Sequence, residues 1–204
     1  MKREAEIKER LISNAINLIA EGGFEKATVK ELVRYSGDLP GFKMNDVYIY
    51  RIFGSKESLY EATFTCLDSE LYQAFRQGVG VVGDLDCALT EKLNRFFLLA
   101  WQFVLHNERR CRCYVRYYYS VYFKGRTLMA HKENFEKIVS VLSPMFKEEA
   151  DVFSIMHSVF VSLLDFSIRV YNGDLEDTDD NRTHIFNVLY CMVATYLKDS
   201  VKAS

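Results

Sequence analysis

An all-α fold is expected from three features of the chain. Apolar residues recur at three- and four-residue intervals almost throughout, strand-like alternation is scarce, and only two prolines, Pro40 and Pro144, interrupt the pattern. The chain contains neither an internal repeat nor a low-complexity tract.

The first helix is read from about Ala5 to Glu21. Ile7, Leu11, Ala15 and Leu18 form one face, and Ile12, Ile16 and Ile19 widen it. Gly22-Gly23 ends it, because glycine accepts the left-handed conformation that closes a helix, and Phe24 returns to the core. Thr28-Val29-Lys30-Glu31 has capping-box spacing and opens a second helix, Val29 to Tyr35, stopped by Ser36-Gly37. Asp38-Leu39-Pro40-Gly41-Phe42-Lys43 is rich in turn residues. Asn45 is the expected cap of a third short helix, Asp46 to Phe53, and Gly54 ends it. Ser55 caps a long fourth helix reaching about Gln77.

Gly78-Val79-Gly80-Val81-Val82-Gly83 is the sharpest composition break and is expected to connect that helix to the remaining body. Further helices are expected from Asp84 or Asp86 to Asn107, through Tyr114–Phe123, and from Thr127 to Leu142. Two more are expected from Glu149 to Tyr171 and from Arg182 to Asp199. The acidic run from Asp174 to Asp180 reads as a solvated loop capping the last of them.

With 49% hydrophobic and 26% charged residues, the composition is that of an ordinary globular protein. No run of roughly 18 or more apolar residues occurs, so no membrane span is expected. The N-terminus alternates charges and lacks a signal peptide's apolar core, which makes a cytoplasmic location the expectation. Cys66, Cys87, Cys111, Cys113 and Cys191 are scattered and odd in number, and read as free thiols. Only His106 lies near the Cys111/Cys113 pair, so neither a metal site nor a cofactor is expected. There is no Gly-rich phosphate loop and no nucleophile–histidine or His-Glu metal motif, and the four histidines are dispersed; an enzyme is not expected. Basic and acidic residues nearly balance over the first 60 positions, so charge alone does not point to nucleic acid.

The pattern does point there. Three short helices end in Val47-Tyr48-Ile49-Tyr50-Arg51-Ile52-Phe53-Gly54-Ser55-Lys56-Glu57-Ser58-Leu59. Together with Ala15, Gly23-Phe24, Thr28-Val29 and Ser36-Gly37, they closely resemble the DNA-binding domain of the TetR family. The Tyr50–Glu57 run is the specific part of the likeness, which covers about the first 60 residues. A helix-turn-helix domain at 1–60 and a helical ligand-binding and dimerisation domain at 61–204 are the implied division.

In a helix-turn-helix the second helix of the motif enters the major groove. Asp46–Phe53 is too short to be stable alone and must be held by Ile49, Ile52 and Phe53, leaving Asn45, Val47, Tyr48 and Arg51 for the groove. The resemblance implies phosphate contacts from Tyr50 and from Lys56, the latter near a helix N-terminus; Thr28 and Lys30 could act likewise. The chain departs from the family in two places. About six extra residues, Asp38 to Lys43, precede the recognition helix, where Lys43 could add a contact, and Tyr48 stands where threonine is common.

The long helix after Val152 is apolar on nearly every side and is expected to be buried on two of them. Asp165 reads either as a pair with Arg169 one turn on or as a polar group in a ligand pocket or across a dimer interface. The middle of the chain is dense in aromatic residues, whose hydroxyls cannot all be buried without partners. Trp101, Tyr117, Tyr118, Phe135 and Phe160 are the candidate walls of a pocket for a flat or greasy molecule, with His131 and Arg116 as candidate polar anchors. The resemblance implies a homodimer, closed by the last two helices of each subunit, that binds a double-stranded DNA operator. Its expected role is repression relieved by a small apolar or aromatic effector, the fourth helix carrying the change. The competing expectation is a helical ligand-binding or scaffolding protein of the same ancestry that has lost specific DNA binding.

Overall fold

In the computed structural model, residues 2–35, 44–83 and 85–198 are described. Every regular element among them is helical: α1 (Lys2–Lys26), α2 (Val29–Tyr35), α3 (Val47–Phe53), α4 (Lys56–Gly83), α5 (Leu89–His106), α6 (Glu108–Tyr118), α7 (Gly125–Leu142), α8 (Val152–Tyr171) and α9 (Asp179–Ala194). A 3-10 turn, Ser143–Met145, follows α7, and Phe146 and Leu197 form an isolated antiparallel bridge. The chain divides into two compact units. The first joins Met1–Ser69 to Arg109–His131, and the second joins Glu70–Glu108 to Lys132–Ser204.

In the first unit, α1 breaks where the glycine pair predicts, since Gly23 takes a left-handed φ of 75°. The expected apolar face of α1 is buried, with Leu11, Ala15 and Ile19 fully covered as α1 packs on α2 and α3. Asn14 ties α1 to α2 by donating to the Leu32 carbonyl at 3.1 Å. The Thr28 hydroxyl accepts from the Glu31 N–H at 3.2 Å, as its capping pattern predicts. α3 begins after Asp46 and not Asn45, and the Asp46 side chain makes no capping bond. Ser55 does cap α4, accepting from the Ser58 N–H at 3.0 Å.

Beyond the head, an aromatic stack fills this unit. Phe64 lies against Tyr117 and Tyr114 at ring distances of 4.5 and 5.0 Å, while Phe24 meets Tyr60 edge-on at 5.1 Å. The buried hydroxyls have partners: Tyr60 donates to the Ala27 carbonyl at 2.6 Å and Tyr117 to that of Tyr122 at 3.1 Å. Behind the stack, Asp68 of α4 faces His131 of α7 at 2.7 Å and accepts from Tyr114 of α6 at 3.2 Å, all three side chains being buried. Burial pushes the Tyr117 hydroxyl and the Cys113 thiol each up to about 12. Cys113 is therefore an inert core thiol at neutral pH. α6 starts at Glu108 and ends at Tyr118, several residues ahead of the expected Tyr114–Phe123. Its end is closed by Ser120, whose hydroxyl donates to the Tyr117 carbonyl at 2.7 Å.

In the second unit, α5, α8 and α9 pack together. α4 runs unbroken through the glycine-rich run to Gly83, where a connection is expected from sequence. Packing explains the glycine: a Cβ at Gly78 would lie 2.9 Å from the Phe96 ring. α5 opens at Leu89 with Ala88 in the cap position and no side-chain cap, in place of Asp84 or Asp86. Asp151 caps α8 and Thr178 caps α9 through the N–H groups three residues on, at 3.1 and 3.2 Å.

α8 is long and apolar enough, by length and composition, to cross a membrane. It carries Ser154, His157, Ser158, Ser162 and Asp165 and packs on α5 and α9. Within one chain only Val152, Leu164 and Ser167 of α8 are buried, so the expected burial on two sides is not met by this chain alone. Arg169 pairs with Asp174 at 2.8 Å rather than with Asp165, because the chain reverses at Asn172-Gly173 and brings the acidic loop back to it.

That loop is fastened at a second point. The Trp101 indole, 1% exposed, donates to Asp177 at 2.8 Å, and Arg182 grips the same carboxylate through two nitrogens at 2.8 Å. Asp177→Ala is expected to cost about 1–3 kcal/mol by leaving a buried indole N–H without its acceptor, read as a lowered urea midpoint. A change below the lower figure would mean that water replaces the carboxylate. Arg182, with help from the indole, holds the Asp177 carboxyl below its ordinary range. Its contribution is therefore complete above the unfolded value, about 4, and is lost as pH falls through the lower folded value.

Candidate functional site

The head presents one short helix outward. Ile49 is fully buried and anchors α3, and Ile52 and Phe53 are half-buried beside it. The opposite side is open: Val47 is 60% exposed, Tyr50 52% exposed, and Asn45 and Arg51 are exposed. Tyr48 is half-buried, and the Arg51 guanidinium lies over its ring at 4.6 Å. That contact holds a flexible cation in one place, so less freedom is lost when Arg51 meets a partner. Here the tyrosine that departs from the family pattern acquires a physical role.

The turn after α3 is equally specified. Gly54 has a φ of 81°, a left-handed value that suits glycine, and its N–H donates to the Tyr50 carbonyl at 2.9 Å. This places Ser55 to cap α4 and brings Lys56 into the first turn, its ammonium 5.6 Å over the Tyr60 ring. A lysine beside the N–H groups opening a long helix suits an anionic partner. Thr28 and Lys30 are both exposed at the start of α2, although the Thr28 hydroxyl already accepts from the Glu31 N–H. Lys43 and the rest of the Asp38–Lys43 insertion lie outside the described residues.

Residues 11–63 match the family of bacterial regulatory proteins named for tetR. That stretch, the head, is a TetR-type N-terminal domain. The fold of the remainder agrees with that of solved TetR-family structures. A regulator from Marinobacter aquaeolei VT8 has 16% identity and a TM-score of 0.70 over 94% of this chain and 98% of its own. One from Shewanella sp. PV-4 has 14% identity and a TM-score of 0.71 over 91% and 96%. One from Vibrio parahaemolyticus has 18% identity and a TM-score of 0.67 over 94% and 99%. No curated protein matches the sequence significantly.

The second unit contains two adjoining cavities. The larger, about 540 Å³, is walled by α4, α5, α8 and α9, and the smaller, about 340 Å³, by α4, α5, α7 and α8. Both linings are overwhelmingly apolar. Of the expected pocket residues, Phe135 and Phe160 line the smaller cavity. Trp101 stands behind Phe97, a wall residue of the larger one, at a ring distance of 5.9 Å. Tyr117 and Tyr118 belong to the first unit, where Phe64 and Phe123 pack on them, and line neither cavity. His131 is engaged by Asp68, and Arg116 lies beside Gly23.

The sequence reading missed the residues shared by both cavities: Phe75, Phe96, Ala100, Met156, Val159 and Leu163. Helical spacing held a signal for some of them, since Phe96 and Ala100 are one turn apart on α5, as are Val159 and Leu163 on α8. Nothing in that spacing separates a cavity wall from a closed core.

Proposed function

We propose that this protein is a ligand-responsive transcriptional repressor, binding a double-stranded DNA operator as a cytoplasmic homodimer and releasing it when an apolar effector occupies the second unit. The observation that supports it best is α3: a seven-residue helix anchored by Ile49, with Val47, Tyr50 and Arg51 directed to solvent. An exposed apolar residue beside an arginine suits base edges in the major groove, where thymine offers a methyl group and guanine two acceptors. Tyr50, Lys56, Thr28 and Lys30 then serve the phosphates, which fix position and carry no sequence information.

Dimerisation accounts for the apolar surface that α8 and α9 leave uncovered. Val188 and Tyr196 are exposed, and Ile155, Met192 and Cys191 line a shallow hollow between the two helices. A two-fold pairing of this face presents two recognition helices to a pseudo-palindromic site. α4 supplies the mechanical link, being one continuous helix that starts at the head and ends among the cavity walls. An effector that favours one setting of α4 over another by 1–3 kcal/mol changes operator affinity by about 5- to 150-fold.

Selection of bound genomic fragments, footprinting and salt titration test the reading. The expected result is a symmetric protected site. Lys56→Ala should weaken all sequences alike and lower the slope of log affinity against log salt by about one. Arg51→Ala should cost about 1–3 kcal/mol at one base position and relax preference there. A protein that retains no DNA at low salt would instead be the helical ligand-binding or scaffolding protein of the same ancestry.

A further inference from the structure

The two cavities of the second unit make one divided chamber. Six residues belong to both walls, and among them Phe96 stands between the lobes, its ring edge-on against Phe75 at 5.0 Å and close to Gly78. Two adjoining lobes parted by a ring that can turn aside suit a flexible chain better than a rigid fused-ring molecule. Met145 and Met156 in the walls can repack around such a chain.

Polar side chains are few. The larger lobe carries Asp86, Cys87 and Lys92 where α5 begins, Tyr190 adds a hydroxyl to it, and the smaller has Gln77 as its polar side chain. No side chain caps α5, so the partial positive charge of its first turn adds to that of Lys92; Asp86 opposes them, as does Glu91, whose charge is met by Arg95. We propose that the chamber takes a straight-chain carboxylate amphiphile, its tail threading from the larger lobe into the smaller and its carboxylate held at the Lys92 end. This deepens the effector-site reading given above and rests on it.

Trp101, the chain's one tryptophan, provides the test. It stacks on Phe97, whose ring lines the larger lobe, so its emission reports occupancy without any DNA present. The intact protein is titrated with a ladder of even-numbered carboxylates from octanoate to stearate. Affinity is expected to rise roughly tenfold for each two carbons until both lobes are full, then level off. Ala100→Phe, which enlarges a side chain common to both lobes, is expected to move that levelling to shorter chains while octanoate binding persists. Lys92→Gln is expected to weaken the carboxylates by roughly tenfold or more and to leave the fatty alcohol of equal length unchanged. The Lys92 arm decides the head group even if the Ala100 variant does not fold.

Affinity independent of tail length, a fatty alcohol or amine binding as well as the acid, or a planar polycycle binding more tightly than any chain would overturn the proposal. Operator release is scored separately. Carboxylates that fill the chamber without releasing DNA would sink the effector reading and leave the ligand class standing. Release by some other compound, with no carboxylate bound, would do the reverse.

Discussion

Asp68→Ala is expected to destabilise the protein by about 3–5 kcal/mol, the largest loss among the substitutions considered. Asp68 is 6% exposed and faces His131 at 2.7 Å and Tyr114 at 3.2 Å, both of them also buried. Removing the carboxylate strips the imidazole and the phenol of their common partner in a region closed to water. Equilibrium unfolding in urea would show the effect as a lower midpoint at unchanged slope. Asp68→Leu combined with His131→Leu and Tyr114→Phe should recover much of the loss, because a buried polar cluster removed whole leaves none of its members stranded. A single variant within about 1 kcal/mol of the parent would show that the three groups are not a unit, since surface-like changes fall in that range.

Ile49→Ala is expected to cost about 2–5 kcal/mol and to abolish operator binding in the same stroke. α3 has seven residues, far fewer than an isolated helix needs, and Ile49 is its one fully buried side chain. Without that anchor the exposed set Val47, Tyr50 and Arg51 has no fixed geometry. Retention on footprinted DNA should fall by at least tenfold, while the emission of Trp101, in the second unit, stays that of the parent. Full DNA binding by a destabilised Ile49→Ala protein would show that α3 is not the element in the groove.

How far the chain could be read in advance depended on whether local chemistry or packing decided each element. The head was legible because its signals are local: the Gly22-Gly23 stop, the Thr28 cap, the Gly54 turn and the Ser55 cap all act within a few residues. The glycine-rich run after Gln77 misled for the opposite reason. Glycine lowers helix propensity, but at Gly78 the cost is offset by close approach of Phe96, a partner 18 residues away that local pattern does not reveal. Asp165 and Arg169 have ideal pairing spacing, yet the reversal at Asn172-Gly173 delivers Asp174 to the same guanidinium. The aromatic residues divided in a way that composition cannot show. Phe135 and Phe160 line a cavity, while Tyr117 is packed solid.

The first unit is assembled from two stretches of chain separated by residues 70–108. On the ribosome, Phe64 and Asp68 emerge well before Tyr114, Tyr117 and His131, the groups that pack on and pair with them. The N-terminal head can settle its own three helices early, but the aromatic stack that completes the unit stays open until the nascent chain has passed residue 131. During that interval greasy surface and a carboxylate awaiting burial are exposed together, which makes this stretch the natural client of a chaperone and the weak point for premature aggregation.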